Sequence, residues 1–298
     1  MSERVNVNGR ITPSDAASVS PLDRGFLFGD GVYETVRTFH GRPFRLGPHL
    51  ERLRRSADRL GIPWPAVPLD PAAEVARTLA EAANPESAIR IVLTRGVGPI
   101  GYDTEGCGSP TLVVHVRPCP SLPPGGRDEG VDVAVVGVQR NARAALDPAI
   151  KSGNLLNNYL AWMEGRRLGV FEPVLLNAEG RVTEGATSNL FIVAGGRLLT
   201  PPLGEGLLEG ITRGIVIDLA RRERLPIAEE GFGPDRLREA DEAFLTSTLK
   251  GVLPVRRCDG WPIRHGRPGP MTRRLMDLYE TLVEAETNTG SDPGSTRR

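Results

Sequence analysis

Lys151-Ser152-Gly153-Asn154-Leu155-Leu156-Asn157-Asn158 is the stretch from which the rest of the chain is best read. Lysine and arginine together number 37, yet lysine occurs only at positions 151 and 250. Arginine carries nearly all the positive charge, so a lysine here is less often mere solvent-facing filler. Arginine cannot take over one job, the formation of a Schiff base. A guanidinium stays protonated, whereas an ammonium can lose its proton when buried. Each lysine is therefore a candidate Schiff-base residue, with an ordinary exposed lysine as the plain alternative.

The composition sets bounds on everything else. A length of 298 residues suggests one large domain or two of ordinary size. With 39% hydrophobic and 25% charged residues, the balance is that of a globular protein with material for a core. A formal net charge of zero points to neither nucleic acid nor an anionic membrane as partner. No apolar run is long enough to span a bilayer, and Met1-Ser2-Glu3-Arg4 does not open a signal peptide. Cys107, Cys119 and Cys258 are scattered and form no CxxC, so neither a metal site nor a disulfide framework is indicated. A cytoplasmic enzyme or binding protein fits this profile.

Working outward from the lysine stretch, residues 154–168 read as a helix and 131–138 as the strand before it. Upstream, Pro118–Gly130 is rich in proline and glycine and reads as an interdomain linker. It separates a small domain, residues 1–117, from a larger one, residues 131–286. In the first, Asn8-Gly9 marks a turn, residues 32–39 a strand after the glycines at 25, 29 and 31, and Leu46, Leu50, Leu53, Ala57 and Leu60 a helical stripe. Arg52 sits at the edge of that stripe, as a solvated charge or a ligand. Gly96-Val97-Gly98-Pro99-Ile100-Gly101 matches GxGxxG, but the residues after it cannot readily form the helix a dinucleotide site requires. A strand-to-strand loop is the better reading. In the second domain, closely spaced short strands between 173 and 200 suggest a barrel-like sheet. Residues 287–298 read as a disordered tail.

Three further places could carry chemistry. Gly210-Ile211-Thr212 lies where a glycine-rich loop meets a helix, a setting that attracts phosphate, though it also suits ordinary capping. Thr246-Ser247-Thr248 places hydroxyls at a strand end, as a phosphate cradle or a run of β-formers. Glu184, in a small neutral loop, needs a partner if buried, and a protonated pyridine nitrogen would serve. A Schiff-base lysine, two phosphate-binding turns, a ring-nitrogen carboxylate and an arginine are the parts of a pyridoxal phosphate site.

These residues also carry a resemblance. Asp23-Arg24-Gly25 with Gly29-Asp30-Gly31-Val32-Tyr33-Glu34-Thr35, His49-Leu50-Glu51-Arg52-Leu53, the lysine stretch, Thr183-Glu184-Gly185 with Ser188-Asn189-Leu190-Phe191, Leu208-Glu209-Gly210-Ile211-Thr212-Arg213 and Gly266–Thr272 occur in order. From about Val5 to Leu282 the chain resembles the fold-type IV pyridoxal-phosphate enzymes, which include branched-chain aminotransferases, D-amino-acid aminotransferases and aminodeoxychorismate lyases. The resemblance implies an α+β fold, with a small N-terminal α/β domain and a larger C-terminal domain with a barrel-like sheet. It also implies a homodimer. It implies that Lys151 forms the internal aldimine with pyridoxal 5′-phosphate and shuttles the proton, and that Glu184 pairs with the pyridinium. Arg52, the N–H groups of Ile211 and Thr212, and Thr248 would bind the phosphate. Leu208 would pack on the ring, and Tyr33 would line the substrate pocket. Lys250 has no role in the family and is expected to be exposed.

The reaction implied is transfer of an amino group from a branched-chain L-amino acid or a D-amino acid to a 2-oxo acid acceptor. Leu155 stands where branched-chain enzymes carry tyrosine, and Thr246-Ser247-Thr248 replaces their Gly-Thr-Ala turn. Ile100 and Tyr102 stand where the D-amino-acid enzymes carry arginine and histidine. Gly101-Tyr102 is similar to the lyases, which release pyruvate and 4-aminobenzoate, and this remains the alternative. Arg95 and Tyr102 are the remaining candidates for substrate binding.

Overall fold

The computed structural model describes residues 2–65 and 69–288. Among them, the strands β1 (Arg4–Val7), β2 (Arg10–Pro13), β3 (Gly31–Phe39), β4 (Arg42–Pro43), β5 (Ser87–Thr94) and β6 (Thr111–Pro118) form one sheet in the order β2-β1-β6-β5-β3-β4. Asn8 and Gly9 join β1 to β2 with φ of +50° and +88°, the two positive values that a tight hairpin needs. The helices α1 (Arg24–Phe28), α2 (Leu46–Arg59) and α3 (Pro71–Ala82) complete this half.

Alternation along β3 decides what this half does. Val32 and Val36 point into a core shared with Leu53 and Ala57 of α2 and with Ile89, Ile91 and Leu93 of β5. Tyr33 and Thr35 face the other way. Thr35 pairs with Arg90, and Arg90 with His115, so three polar side chains lie in a row across the uncovered face. That face is one wall of the cavity described below.

The second half is built from β7 (Val131–Val135), β8 (Glu172–Leu176), β9 (Val182–Gly185), β10 (Asn189–Ala194), β11 (Arg197–Thr200), β12 (Ile227–Glu229), β13 (Glu242–Ser247), β14 (Gly251–Cys258) and β15 (Trp261–Pro262). They run β12-β11-β10-β13-β14-β7-β8-β9, with β15 beside β14, and curl into a half-barrel. The helices are α4 (Leu156–Arg167), α5 (Ile211–Arg222), α6 (Pro234–Arg238) and α7 (Pro270–Thr287). One face buries Val133, Val174, Leu190 and Leu245, with Leu237 of α6; the other buries Phe191 and Phe244 under α5 and α7. The central strands are therefore apolar on both faces and read as continuous runs.

α7 continues through Thr287, one residue into the stretch expected to be tail, and positions 289–298 lie outside the described residues. Among the described residues, no helix is long and apolar enough to cross a membrane.

The segment 96–101 is a loop between β5 and β6, as its lack of a following helix implied. Gly96 has φ of +90°, and a Cβ there would lie 2.1 Å from the Ser109 carbonyl oxygen. Gly96→Ala is expected to destabilise the protein by on the order of 3 kcal/mol. Gly106→Ala, at φ +78° but with no atom nearer than 3.7 Å, serves as the control for backbone strain alone. A clearly larger drop in urea midpoint for Gly96→Ala than for the control is the expected outcome.

Candidate active site

The two sheets enclose a cavity of about 670 Å³ between them. Lys151 reaches it by a backbone device. The Tyr33 N–H donates to the Lys151 carbonyl at 2.9 Å, and the Gly153 N–H to that of Gly31 at 2.7 Å. Val32 and Ser152 form a β-bridge. Residues 151–153 are thus tied to β3 through an isolated bridge before α4 begins, and Lys151 Nζ lies 4.4 Å from the centre of the Tyr33 ring. Burial alone would raise the Tyr33 hydroxyl, but the charges of Lys151 and Arg90 outweigh it and lower its pKa.

The same cavity holds a helix end with the makings of an anion site. α5 starts at Gly210, and no side chain caps it, which leaves the N–H groups of its first turn available. A Cβ at Gly210 would sit 1.9 Å from Asn189 Oδ1, so the close approach of the two segments requires glycine. Arg52 lies beside this helix end and donates to the Glu209 carbonyl at 2.6 Å. Far from being a solvated charge, Arg52 is 5% exposed. Its Nε and Nη2 donate to Glu34 at 2.6 and 2.8 Å, and His49 Nδ1 contacts the same carboxylate at 2.7 Å. His49 Nε2 then lies 3.5 Å from Thr248 Oγ1. Burial opposes ionisation of Glu34, yet Arg52 and His49 hold it down at about 2. Burial lowers the His49 pKa, which favours its neutral form.

Glu184 forms the third part. Its Oε2 accepts from Asn189 Nδ2 and from the Leu208 N–H, both at 3.1 Å, and Oε1 lies 2.8 Å from Arg140 Nη2. Burial pushes its pKa up, against the pull of Arg140 and the Leu208 N–H. Thr246 Oγ1 and Arg140 Nε are buried in the cavity wall with no hydrogen-bond partner among the described residues. Lysine, phosphate cradle, carboxylate and a wall with spare polar capacity suit a phosphorylated pyridine.

The cavity therefore gathers Tyr33, Arg52, Lys151, Glu184, Leu208, Ile211, Thr212 and Thr248. It does not include Arg95 or Tyr102. Arg95 is spent on Asp30, on the Leu60 carbonyl and on the Gly61 carbonyl, at 2.7 to 3.2 Å. Tyr102 is 93% exposed on its loop. Nor is Lys250 exposed: it lines the cavity, with Nζ 2.7 Å from the buried Glu172 and 2.5 Å from Thr187 Oγ1. A carboxylate as buried as Glu172 requires a cation, and Lys250 supplies it.

Sequence reading passed over Arg90, Arg140, His49 and Glu34. Glu34 left a signal, because period-two alternation puts it on the core face with Val32 and Val36, where a carboxylate must be paired. The others are arginines among many, or a histidine inside an amphipathic pattern.

A family profile, amino-transferase class IV, matches residues 31–258. The chain is 37% identical to a putative branched-chain-amino-acid aminotransferase of Methanocaldococcus jannaschii, over 94% of this chain and 96% of that one. It is 33% identical to D-alanine aminotransferase of Staphylococcus aureus, over 96% and 99%. Among solved structures, a branched-chain aminotransferase from Thermoproteus uzoniensis with norvaline aligns at a TM-score of 0.88, with 32% identity and 96% of each chain covered. The T.th. branched-chain amino acid aminotransferase with pyridoxamine 5′-phosphate aligns at 0.88, with 28% identity and 97% of each chain covered.

The Glu34 cluster makes a pH-dependent contribution to stability. Its folded pKa of about 2 lies below the ordinary 4.5, so the contribution is complete above 4.5 and fades as pH falls toward 2. Glu34→Gln is expected to cost about 3–5 kcal/mol at neutral pH, because it leaves Arg52 buried without its counter-ion. Urea unfolding of both proteins should show the gap narrowing as the pH drops through that window.

Proposed function

The chain belongs to the class IV aminotransferases, and on that footing we propose that it is a pyridoxal 5′-phosphate-dependent transaminase in which Lys151 holds the cofactor. It moves an amino group between an amino acid and a 2-oxo acid. The observation that carries this reading is the convergence on one cavity of Lys151, the uncapped α5 N-terminus beside Arg52, and the buried Glu184.

When bound, the cofactor supplies the electron sink that makes loss of a Cα proton feasible. The protein's residues do the rest. Arg52, the N–H groups of Ile211 and Thr212, and the Thr248 hydroxyl would hold the phosphate. Glu184 would pair with the ring nitrogen, and Leu208 would pack on the ring. Lys151, with its amine free in the cavity, would be the base placed to take the Cα proton. Tyr33 lines the pocket and, with the cation of Lys151 at its ring face, fixes where that amine waits.

For the substrate carboxylate we favour Arg90 over Arg95. The Arg90 guanidinium carbon lies 3.4 Å from the centre of the Tyr33 ring, on the cavity wall it shares with His115 and Arg117. A planar fork at this position suits charge-assisted pairing with a carboxylate. The donor is a branched-chain L-amino acid or a D-amino acid, the two classes named among its relatives. Exposed Phe26, Ile100, Leu156 and Tyr159 support a homodimer, since they offer apolar surface for a second copy to cover. Three free cysteines suit a reducing, cytoplasmic setting.

Protein loaded with pyridoxal 5′-phosphate should turn yellow. It should then bleach in a single half-turnover when L-leucine or D-alanine is added without an acceptor. Lys151→Ala is expected to lose transamination by about 10²–10⁴-fold or more. Arg90→Gln should raise KM for the amino acid by about 10–100-fold while leaving the yellow colour intact. If neither amino acid bleaches the protein, but a chorismate-derived amine yields pyruvate with the colour retained, the lyase reading replaces this one.

A further inference from the structure

The partners of Glu184, counted one by one, bring in another residue. An ionised carboxylate offers about four acceptor positions, two on each oxygen. Oε2 is filled by Asn189 Nδ2 and the Leu208 N–H, and Oε1 takes one donor, Arg140 Nη2, at 2.8 Å. One position, on Oε1, remains. Glu184 lines the cavity, so that position is the one available to a ring nitrogen.

Arg140 is held for this purpose from behind. Its Nη1 donates to Asn157 Oδ1 at 3.3 Å and to Asn158 Oδ1 at 3.1 Å. Both amides have their orientation set from the far side: Asn157 Nδ2 donates to the Gln139 carbonyl at 2.7 Å and Asn158 Nδ2 to that of Ala186 at 2.8 Å. With the nitrogens committed, the amide oxygens must face the guanidinium. The Arg140 N–H donates to the Leu176 carbonyl at 2.8 Å, which anchors the backbone as well. The side chain is 9% exposed and its geometry is fixed on three sides. The two asparagines end the lysine stretch and stand in the first turn of α4.

We propose that Arg140 is a positioning residue that decides where a shared proton sits: by pairing with Oε1 it keeps Glu184 ionised, so the proton stays on the cofactor's ring nitrogen. The inference rests on the cofactor reading above. One proton is shared between two sites. With the guanidinium present, the carboxylate–pyridinium arrangement is favoured, because the cation is in direct contact with the carboxylate and only indirectly near the nitrogen. Without it, the buried carboxylate is the more costly charge to keep, and the proton moves from nitrogen to oxygen, which leaves a neutral pyridine and a carboxylic acid. No proton is gained or lost. The neutral pyridine is the poorer electron sink. A residue that only braced the fold would leave the ring nitrogen as it was.

The test is nitrogen-15 NMR of ring-labelled pyridoxal 5′-phosphate bound to the holoenzyme at neutral pH. Wild type should give a protonated ring nitrogen. Arg140→Met should bind the cofactor, since its phosphate cradle is untouched, but move the nitrogen signal to the unprotonated position, as Glu184→Gln should. Arg140→Gln, neutral and still polar, carries the same test should the methionine variant not fold. Arg140→Lys should return the signal most of the way. A ring nitrogen that stays protonated in either neutral variant overturns the assignment and leaves the cofactor reading standing. Failure of wild type to bind the labelled cofactor overturns both.

Discussion

A carboxylate that cannot leave the core organises this molecule. Glu34 is fully buried and accepts from Arg52 twice and from His49 once. Removing such a charge from water is costly, and only close, well-directed partners offset the cost. The demand fixes the rotamer of Arg52 and the face of α2. Because Arg52 also donates to the Glu209 carbonyl, it fixes the approach of the second sheet's α5 to the first sheet as well. An arginine left loose at this helix end would have to be ordered by whatever bound there; here the ordering is done in advance by the fold.

The rest of the cavity is assembled on the same plan, in which each working group is held by something with no other freedom. Lys151 is set by backbone pairing to β3, and Glu184 by an asparagine and a backbone N–H. Even the loop beside Glu184 is pinned, since Glu172 accepts from the Thr187 N–H and the Ser188 hydroxyl. Polar groups thus stay buried at modest cost because nearly every donor meets an acceptor.

How much of this was legible beforehand depended on whether a residue was unusual in its surroundings. Lys151 stood out because lysine is so scarce, and Glu184 because its loop is small and neutral. Both line the cavity. The strand and helix pattern was readable wherever one face met water, as in β3 and α2. The first strand of the second sheet begins at Val131, directly after the run of prolines and glycines. Arg140 and Arg90 were not readable, because in a chain this rich in arginine no single one announces itself. Only their partners, across the fold, distinguish them. Arg95 misled for the same reason: its sequence neighbours suggested a ligand, while Asp30 and two carbonyls consume it. Lys250 was read by its lack of a known role, a criterion that says nothing about the buried Glu172 waiting beside it.

The bridge between Ser152 and Val32 limits how this scaffold can diversify. Side chains on a strand alternate, so a slip of one residue in the Val32–Ser152 pairing would turn Lys151 away from the cavity. Insertions or deletions within residues 151–153 would therefore move Lys151, however harmless their local chemistry. Variation in what the cavity accepts must come from point changes on its walls, whose side chains can change without shifting that pairing. The chain has one part that behaves like a ruler and another that behaves like clay. A search for altered specificity should mutate the second and leave the first untouched.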